Sequence, residues 1–279
     1  MKNIYGFPKI QLISSTVACI ALTTTAIAYA PSANAAAIRS GFNANTLAAN
    51  DDSSTGLVPI GFDVNLGGVT TNELFVNNNG NVTFDSSLST FTPFDIVTTD
   101  RDIIAPFFAD VDTANSSPVT YGSGTVDDRD AFGVNWVDVG HYDDATTPNS
   151  FQLVLIDRSD LEAGAFDFEF NYDEINWETG DFSGGTNGLG GDSARAGFAY
   201  GDNGNRTAFE LEGSAVNGAF LDGGINSLVD GSFNSDTNGR YLFEVRDGAV
   251  IGATTPEPSA LLGSICVLGL SLLKKKKTI

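Results

Sequence analysis

Asp110 and Asp112 stand two residues apart behind the run Ala105-Pro106-Phe107-Phe108. Alternate residues of an extended segment point the same way. The spacing therefore offers two hard oxygen ligands on one face, which suits calcium, an ion that takes six to eight of them. A second pair of carboxylates, Glu174 and Glu178, brackets Asn176 in Glu174-Ile175-Asn176-Trp177-Glu178. On one face of a strand, two glutamates four apart can lean toward a single sugar as nucleophile and acid, the pairing that hydrolyses a glycosidic bond. Asn234-Ser235-Asp236-Thr237-Asn238-Gly239 begins like a calcium loop, but its twelfth position is Val245 instead of glutamate, so a turn leading into a strand is the better reading. The glycine-rich stretch from Gly184 to Asp192 lacks the tandem copies of a calcium repeat and the lysine and helix of a phosphate loop. It reads as a flexible surface loop.

Other chemistries are excluded by what the chain contains. His141 is the single histidine, and no G-x-S-x-G or H-E-x-x-H pattern accompanies it, so a structural role at a strand end is expected rather than a triad or a zinc site. The two cysteines, Cys19 and Cys266, lie in the terminal segments. The middle of the chain thus has no thiol nucleophile, no thiolate zinc ligand and no disulfide. All six lysines also lie near the ends, which leaves the middle with eight arginines against thirty-four acids, a net charge of −26. A surface this acidic repels nucleic acid and anionic lipid; it suits solubility, divalent cations or basic partners.

The elements that must position these residues are short strands. Apolar alternation punctuated by Gly, Asn and Asp places them at residues 57–64, 74–76, 82–84, 102–108, 119–121, 131–137, 150–157, 165–172, 194–200, 207–211 and 240–245. No stretch keeps a helical period, and turn signals such as Asn77-Asn78-Asn79-Gly80 and Asn238-Gly239 join the strands. Phe166-Asp167-Phe168-Glu169-Phe170-Asn171-Tyr172 puts four rings on one face and polar groups on the other, a strand with one face in a core and one in water. Phe107, Phe108, Trp136 and Trp177 are expected in the same core, with an aromatic sugar platform as the alternative for the tryptophans. The fold class is all-β: a single β-sandwich-like domain of short antiparallel strands.

The ends carry targeting signals. Lys2 and Lys9 precede an apolar stretch and the small-residue site Ala33-Asn34-Ala35, the order of a secretory signal peptide over residues 1–35 with cleavage at Ala35. At the other end, Pro256-Glu257-Pro258 is followed by the apolar run Ala260 to Leu273 and by Lys274 to Lys277. The lysines belong on the cytoplasmic side, and the run is shorter than the ~20 residues of a stable spanning helix. This tail resembles a PEP-CTERM sorting signal. The resemblance implies a Gram-negative source, an exosortase-type enzyme as partner, at least transient membrane anchoring through a C-terminal hydrophobic helix, and association with envelope or extracellular polysaccharide.

The middle resembles the NIDO domain, the extracellular module of nidogen, alpha-tectorin and some mucins. The segments that carry the likeness are Glu73 to Phe84, Ile103 to Thr113, Asn149 to Ile156, Phe170 to Trp177 and Ala196-Gly197-Phe198. The expected organisation is a signal peptide (1–35), a polar leader (36–56), a NIDO-like β domain (57–247), a linker (248–255) and the sorting segment (256–279). The resemblance implies a non-catalytic module of the cell surface or extracellular matrix, concerned with cell–matrix adhesion or biofilm association. Its expected ligand is an extracellular polysaccharide or matrix protein, with calcium at Asp110 and Asp112. The alternative is a secreted glycoside hydrolase, since Glu174 to Glu178 is also similar to the E-x-D-x-E strand of lichenase-type enzymes, with Asn176 in place of the central aspartate.

Overall fold

A computed structural model describes residues 37–142, 144–201 and 206–252. The expected signal peptide with its cleavage point at Ala35, and the sorting segment with Pro256, Glu257, Pro258 and the hydrophobic helix, lie outside the described residues. Among the described residues no helix is long and apolar enough to cross a membrane.

Fourteen strands follow in chain order: β1 (Asn45–Thr46), β2 (Val58–Leu66), β3 (Val69–Asn77), β4 (Asn81–Thr83), β5 (Ile103–Phe108), β6 (Val111–Asp112), β7 (Thr120–Val126), β8 (Arg129–His141), β9 (Asp144–Asp157), β10 (Phe166–Glu174), β11 (Arg195–Tyr200), β12 (Thr207–Glu210), β13 (Arg240–Arg246) and β14 (Ala249–Ile251). They form two sheets. One runs β1-β7-β8-β9-β10-β13-β14, with β6 added beside β8; the other runs β12-β11-β5-β4-β3-β2. The pairings between these strands are antiparallel. Each of the eleven expected strands is present, and β1, β6 and β14 are additional. Two of the additions redraw the expected segments: β1 ties the polar leader to β7, and β14 extends the sheet into the stretch expected as linker.

The core lies between the sheets. Period-two alternation sends Phe166, Phe168, Phe170 and Tyr172 inward from β10, against Ile104, Phe107, Phe198 and Phe209 of the facing sheet. Phe168 stacks on Phe243 of its own sheet at 4.8 Å and meets Phe198 of the other edge-on at 5.5 Å. Burying each such ring contributes about 1.5–3 kcal/mol. Trp136 and Trp177 are also fully buried, on Phe151 and Phe107. They are core residues and leave no sugar platform.

The outer face of β10 departs from expectation. Asp167, Glu169 and Asn171 alternate outward, yet all three are buried. Arg39 and Arg240 bracket Glu169, Arg158 and Arg246 bracket Asp167, and Asn171 donates to Gln152. The leader covers this face, with Arg39 and Gln152 exchanging hydrogen bonds at 3.0 and 2.8 Å. The partners of Glu169 and Asp167 come from distant segments and from neighbouring strands, so the alternation alone cannot report the cover.

The turn between β3 and β4 is buried as well. Gly80 has a φ of +72°, and a Cβ there would fall 1.7 Å from the Phe107 carbonyl oxygen. That oxygen belongs to backbone and has no room to retreat. Gly80→Ala is therefore expected to lower the unfolding free energy by more than about 2 kcal/mol, read as a shift of the urea midpoint at unchanged slope.

Candidate functional site

Three aspartates from two distant segments converge at one end of the sandwich. Asp51 and Asp52 belong to the leader; Asp110 follows β5. One carboxylate oxygen from each lies within 4.8 Å of the others. They open into a hollow of about 310 Å³ rimmed by Phe91, Tyr142 and Phe182. Tyr142 and Phe182 meet edge-on at 4.7 Å, and Phe182 is 70% exposed.

The leader is held in place by the asparagine turn. Asn78 donates its amide to the backbone oxygens of Asp51 and Val111, both at 2.5 Å, and Asn79 donates to Asp52 Oδ1 at 2.8 Å. Thr113 and Asn50 exchange backbone and hydroxyl bonds at 2.8–2.9 Å. These contacts bring the leader against the residues that follow β5. Asp110 is only 2% exposed. Its carboxylate packs on Gly180, where a Cβ would come within 2.3 Å of Oδ2.

Gly180 is positioned in turn by Glu178. Both oxygens of this buried carboxylate are occupied, accepting the backbone N–H of Gly218 at 2.5 Å and of Phe220 at 2.7 Å. Burial pushes the Glu178 carboxyl above its ordinary value, against the pull of those two hydrogen bonds. Its backbone pairs with Gly188 and Ala194, so the stretch 184–192 is a tied loop instead of the flexible one expected. Gly190 N–H adds a bond to Asn217 Oδ1 at 2.6 Å, and Asp192 N–H one to Ser183 O at 2.9 Å. Glu174, at the end of β10, is half-buried. The two glutamates therefore do not present a pair of free carboxylates to one sugar, as the hydrolase reading requires.

Asp110 and Asp112 likewise part company. Asp112 accepts the Ala114 N–H at 2.7 Å and lines a neighbouring hollow with Asn115, His141 and Asp144. Asp110 joins Asp51 and Asp52 instead. His141 is buried beside Trp177, its Nδ1 2.8 Å from the Tyr142 carbonyl oxygen, which suits the expected structural role. The stretch 234–239 is a turn before β13, as expected, with Gly239 bonded to Gly231 and Tyr172. Asp51 and Asp52 were not singled out by sequence reasoning; the one available signal is the Asn50-Asp51-Asp52-Ser53 cluster, in which Asn50 Oδ1 caps Ser53 N–H at 2.6 Å.

The model of the nidogen-like domain matches residues 72–129 and 122–247. The chain belongs to the nidogen-like domain family. It is similar to alpha-tectorin of Mus musculus, 36% identical over 230 residues that make up 72% of this chain and 10% of that protein. Alpha-tectorin of Homo sapiens is 35% identical over 229 residues, with the same coverage, and that of Gallus gallus 33% over 205 residues, 64% of this chain and 9% of the relative. The chain thus spans about a tenth of the length of the curated relatives it matches. No solved structure matches it. Asp110 falls inside the matched residues of this nidogen-like domain; Asp51 and Asp52 precede them.

Two predictions follow from the geometry of this nidogen-like domain. Burial first, and then neighbouring carboxylates, raise Asp110 to about 7 and Asp51 to about 6, from 3.8. Between pH 4 and 7 the folded chain holds protons that the unfolded chain has released, so these groups make stability fall as pH rises through that window. In buffer with EGTA, Asp110→Asn is expected to flatten the decline of melting temperature from pH 4.5 to 7.5 and to raise the value at pH 7.5 by roughly 2–4 °C per kcal/mol relieved. For Glu178, the expected order of urea stability is wild type, then Glu178→Gln, then Glu178→Ala. The alanine variant loses about 2–5 kcal/mol because two N–H groups lose their acceptor.

Proposed function

We propose that this chain is an exported module of the cell surface or extracellular matrix that acts by binding, through the acidic hollow rimmed by Phe91, Tyr142 and Phe182. The observation that carries this reading is the site itself. The exposed Phe182 ring and the half-buried Phe91 and Tyr142 stand beside clustered carboxylates on a hydrogen-bonded scaffold, and aromatic faces with a few placed polar groups are what a sugar- or matrix-binding surface requires. Membership of the nidogen-like family and similarity to alpha-tectorin support a matrix role. The signal-like N-terminus and the Pro256-Glu257-Pro258 tail support export and handling by an exosortase-type enzyme, with the C-terminal helix as at least a transient anchor.

The role of Glu178 favours binding over hydrolysis, since both of its oxygens are committed to backbone donors. On this reading Asp112, which lines the neighbouring hollow, stands outside the binding surface.

The test is retention of the full chain on immobilised extracellular polysaccharide from the producing cells. Phe182→Ala and Tyr142→Ala are expected to lower retention at least about tenfold, the scale of an aromatic anchor at an interface, with melting temperatures close to wild type. Retention unaffected by either substitution removes the hollow as the binding site, and steady release of reducing sugar that Glu178→Gln abolishes replaces the binding reading with the hydrolase.

A further inference from the structure

The hollow has more acceptors than donors. Asp51 Oδ1 and Asp110 Oδ2 are both sealed from solvent and meet no hydrogen-bond partner among the described residues. Asp52 is served at one oxygen by Asn79. No arginine is free to answer this charge, because each of the eight is engaged in an ion pair with another acid. An ionised carboxylate buried without a counter-charge is among the costliest arrangements in a protein, and here the buried Asp110 has the half-buried Asp51 and Asp52 beside it, one oxygen of each within 4.8 Å of the others.

Protonation relieves the repulsion only in part. A protonated carboxyl gains a donor of its own, and its neighbours still share too few hydrogens. A cation between the three residues satisfies the orphaned oxygens and the charge at once.

We propose that Asp51, Asp52 and Asp110 form a binding site for one hard divalent cation of the calcium type. The ligand set is all oxygen, with neither sulfur nor imidazole, and so suits calcium or magnesium over zinc or copper. The carboxylates come from two segments and do not impose a strict octahedron, which favours calcium, the ion tolerant of irregular shells. Three carboxylate ligands leave a shell of six to eight incomplete, and water in the 310 Å³ hollow fills the remainder. Those open positions face the rim of Phe91, Tyr142 and Phe182, where hydroxyl or carboxylate groups of a bound glycan can replace water. This last role rests on the binding function proposed above; the cation site itself does not. A site with only three protein ligands fits the weak calcium affinities of extracellular modules, on the order of 10⁻⁴–10⁻³ M.

The site also adds a second tie to a leader already held by the asparagine turn. A cation held between Asp51, Asp52 and Asp110 staples the leader to the end of β5, so binding is linked to folding and raises the melting temperature with ion concentration.

The experiment is calorimetric titration of the full chain, stripped with EGTA, with calcium chloride, together with terbium luminescence excited through tyrosine, since Tyr142 lines the hollow. One equivalent is expected. Asp51→Asn and Asp110→Asn should each weaken affinity at least about tenfold, while Asp112→Asn stays within about twofold. Should Asp110→Asn fail to fold, the half-buried Asp51 carries the test, with a melting curve in EGTA showing that the variant is folded. The absence of both heat and terbium emission up to about 10 mM overturns the proposal, as does binding that survives Asp51→Asn but is lost in Asp112→Asn. If calcium fails to bind while retention on polysaccharide still depends on Phe182, the cation falls and the binding function stands. If calcium binds but the chain is never retained, with or without the ion, the cation site stands and the binding function falls.

Discussion

Asn78 donates its side-chain amide to the backbone of Asn50, Asp51 and Val111, while its own backbone oxygen receives the Trp136 indole at 2.9 Å. Its neighbours do the same kind of work. Asn77 donates to Asn81 and Thr83 and accepts the Leu88 N–H; Asn79 donates to Asp52 and accepts the Val111 N–H. All are fully buried. Each buried polar group left unmatched costs about 1–3 kcal/mol, so the turn tolerates few arrangements of the segments around it. It fixes the leader, the β5–β6 corner and the β8 tryptophan together, and the acidic hollow is a product of that fixation. Gly80 lets the same turn lie against the Phe107 carbonyl with no side chain between.

Charge is organised by the same economy of partners. The arginines are spent on the sandwich: Arg39 and Arg240 on Glu169, Arg158 and Arg246 on Asp167, Arg195 on Glu210. Pairing a carboxylate that burial would otherwise penalise is where a scarce cation stabilises most. The remaining acids must then find water, backbone donors or a metal. Glu178 finds backbone donors, Asp112 and Asp144 cap turns at Ala114 and Thr146, and among the described residues Asp51 and Asp110 keep buried oxygens that meet neither a hydrogen-bond donor nor an arginine. The acidity of the chain is thus uneven in consequence: most of it is solvation and capping, and one cluster is a deficit.

The strands and core were legible because their signal is local. Alternation of Phe166, Phe168 and Phe170 with polar residues reports which face is inward whatever the facing sheet is. The polar face was not legible in the same way, since Glu169 is buried by Arg39, far away in a leader whose composition gives no hint of cover. Asp110 was visible as a candidate ligand beside Asp112, but the carboxylates that come within 4.8 Å of it, those of Asp51 and Asp52, lie in the leader, and Asp112 lines a neighbouring hollow. Glu178 entered the alternative reading as a catalytic partner of Glu174 because the donors that occupy it, Gly218 and Phe220, come from a loop that no spacing rule connects to it.

Two of the carboxylates that sequence singled out are coupled through one glycine. Glu178 secures the turn that carries Gly180, and Gly180 lies against the Asp110 carboxylate because it has no side chain. Phe182, two residues on, forms the exposed part of the rim. Loop position, burial of Asp110 and placement of the aromatic rim are therefore one structural unit. A carboxylate with a structural role at 178 is what keeps the carboxylate at 110 buried, since without the tied loop Asp110 would be open to water and its oxygens would be satisfied by solvent. The desolvation that makes the cluster costly is the same feature that would strengthen its attraction for the proposed cation, because charges interact more strongly where water is excluded.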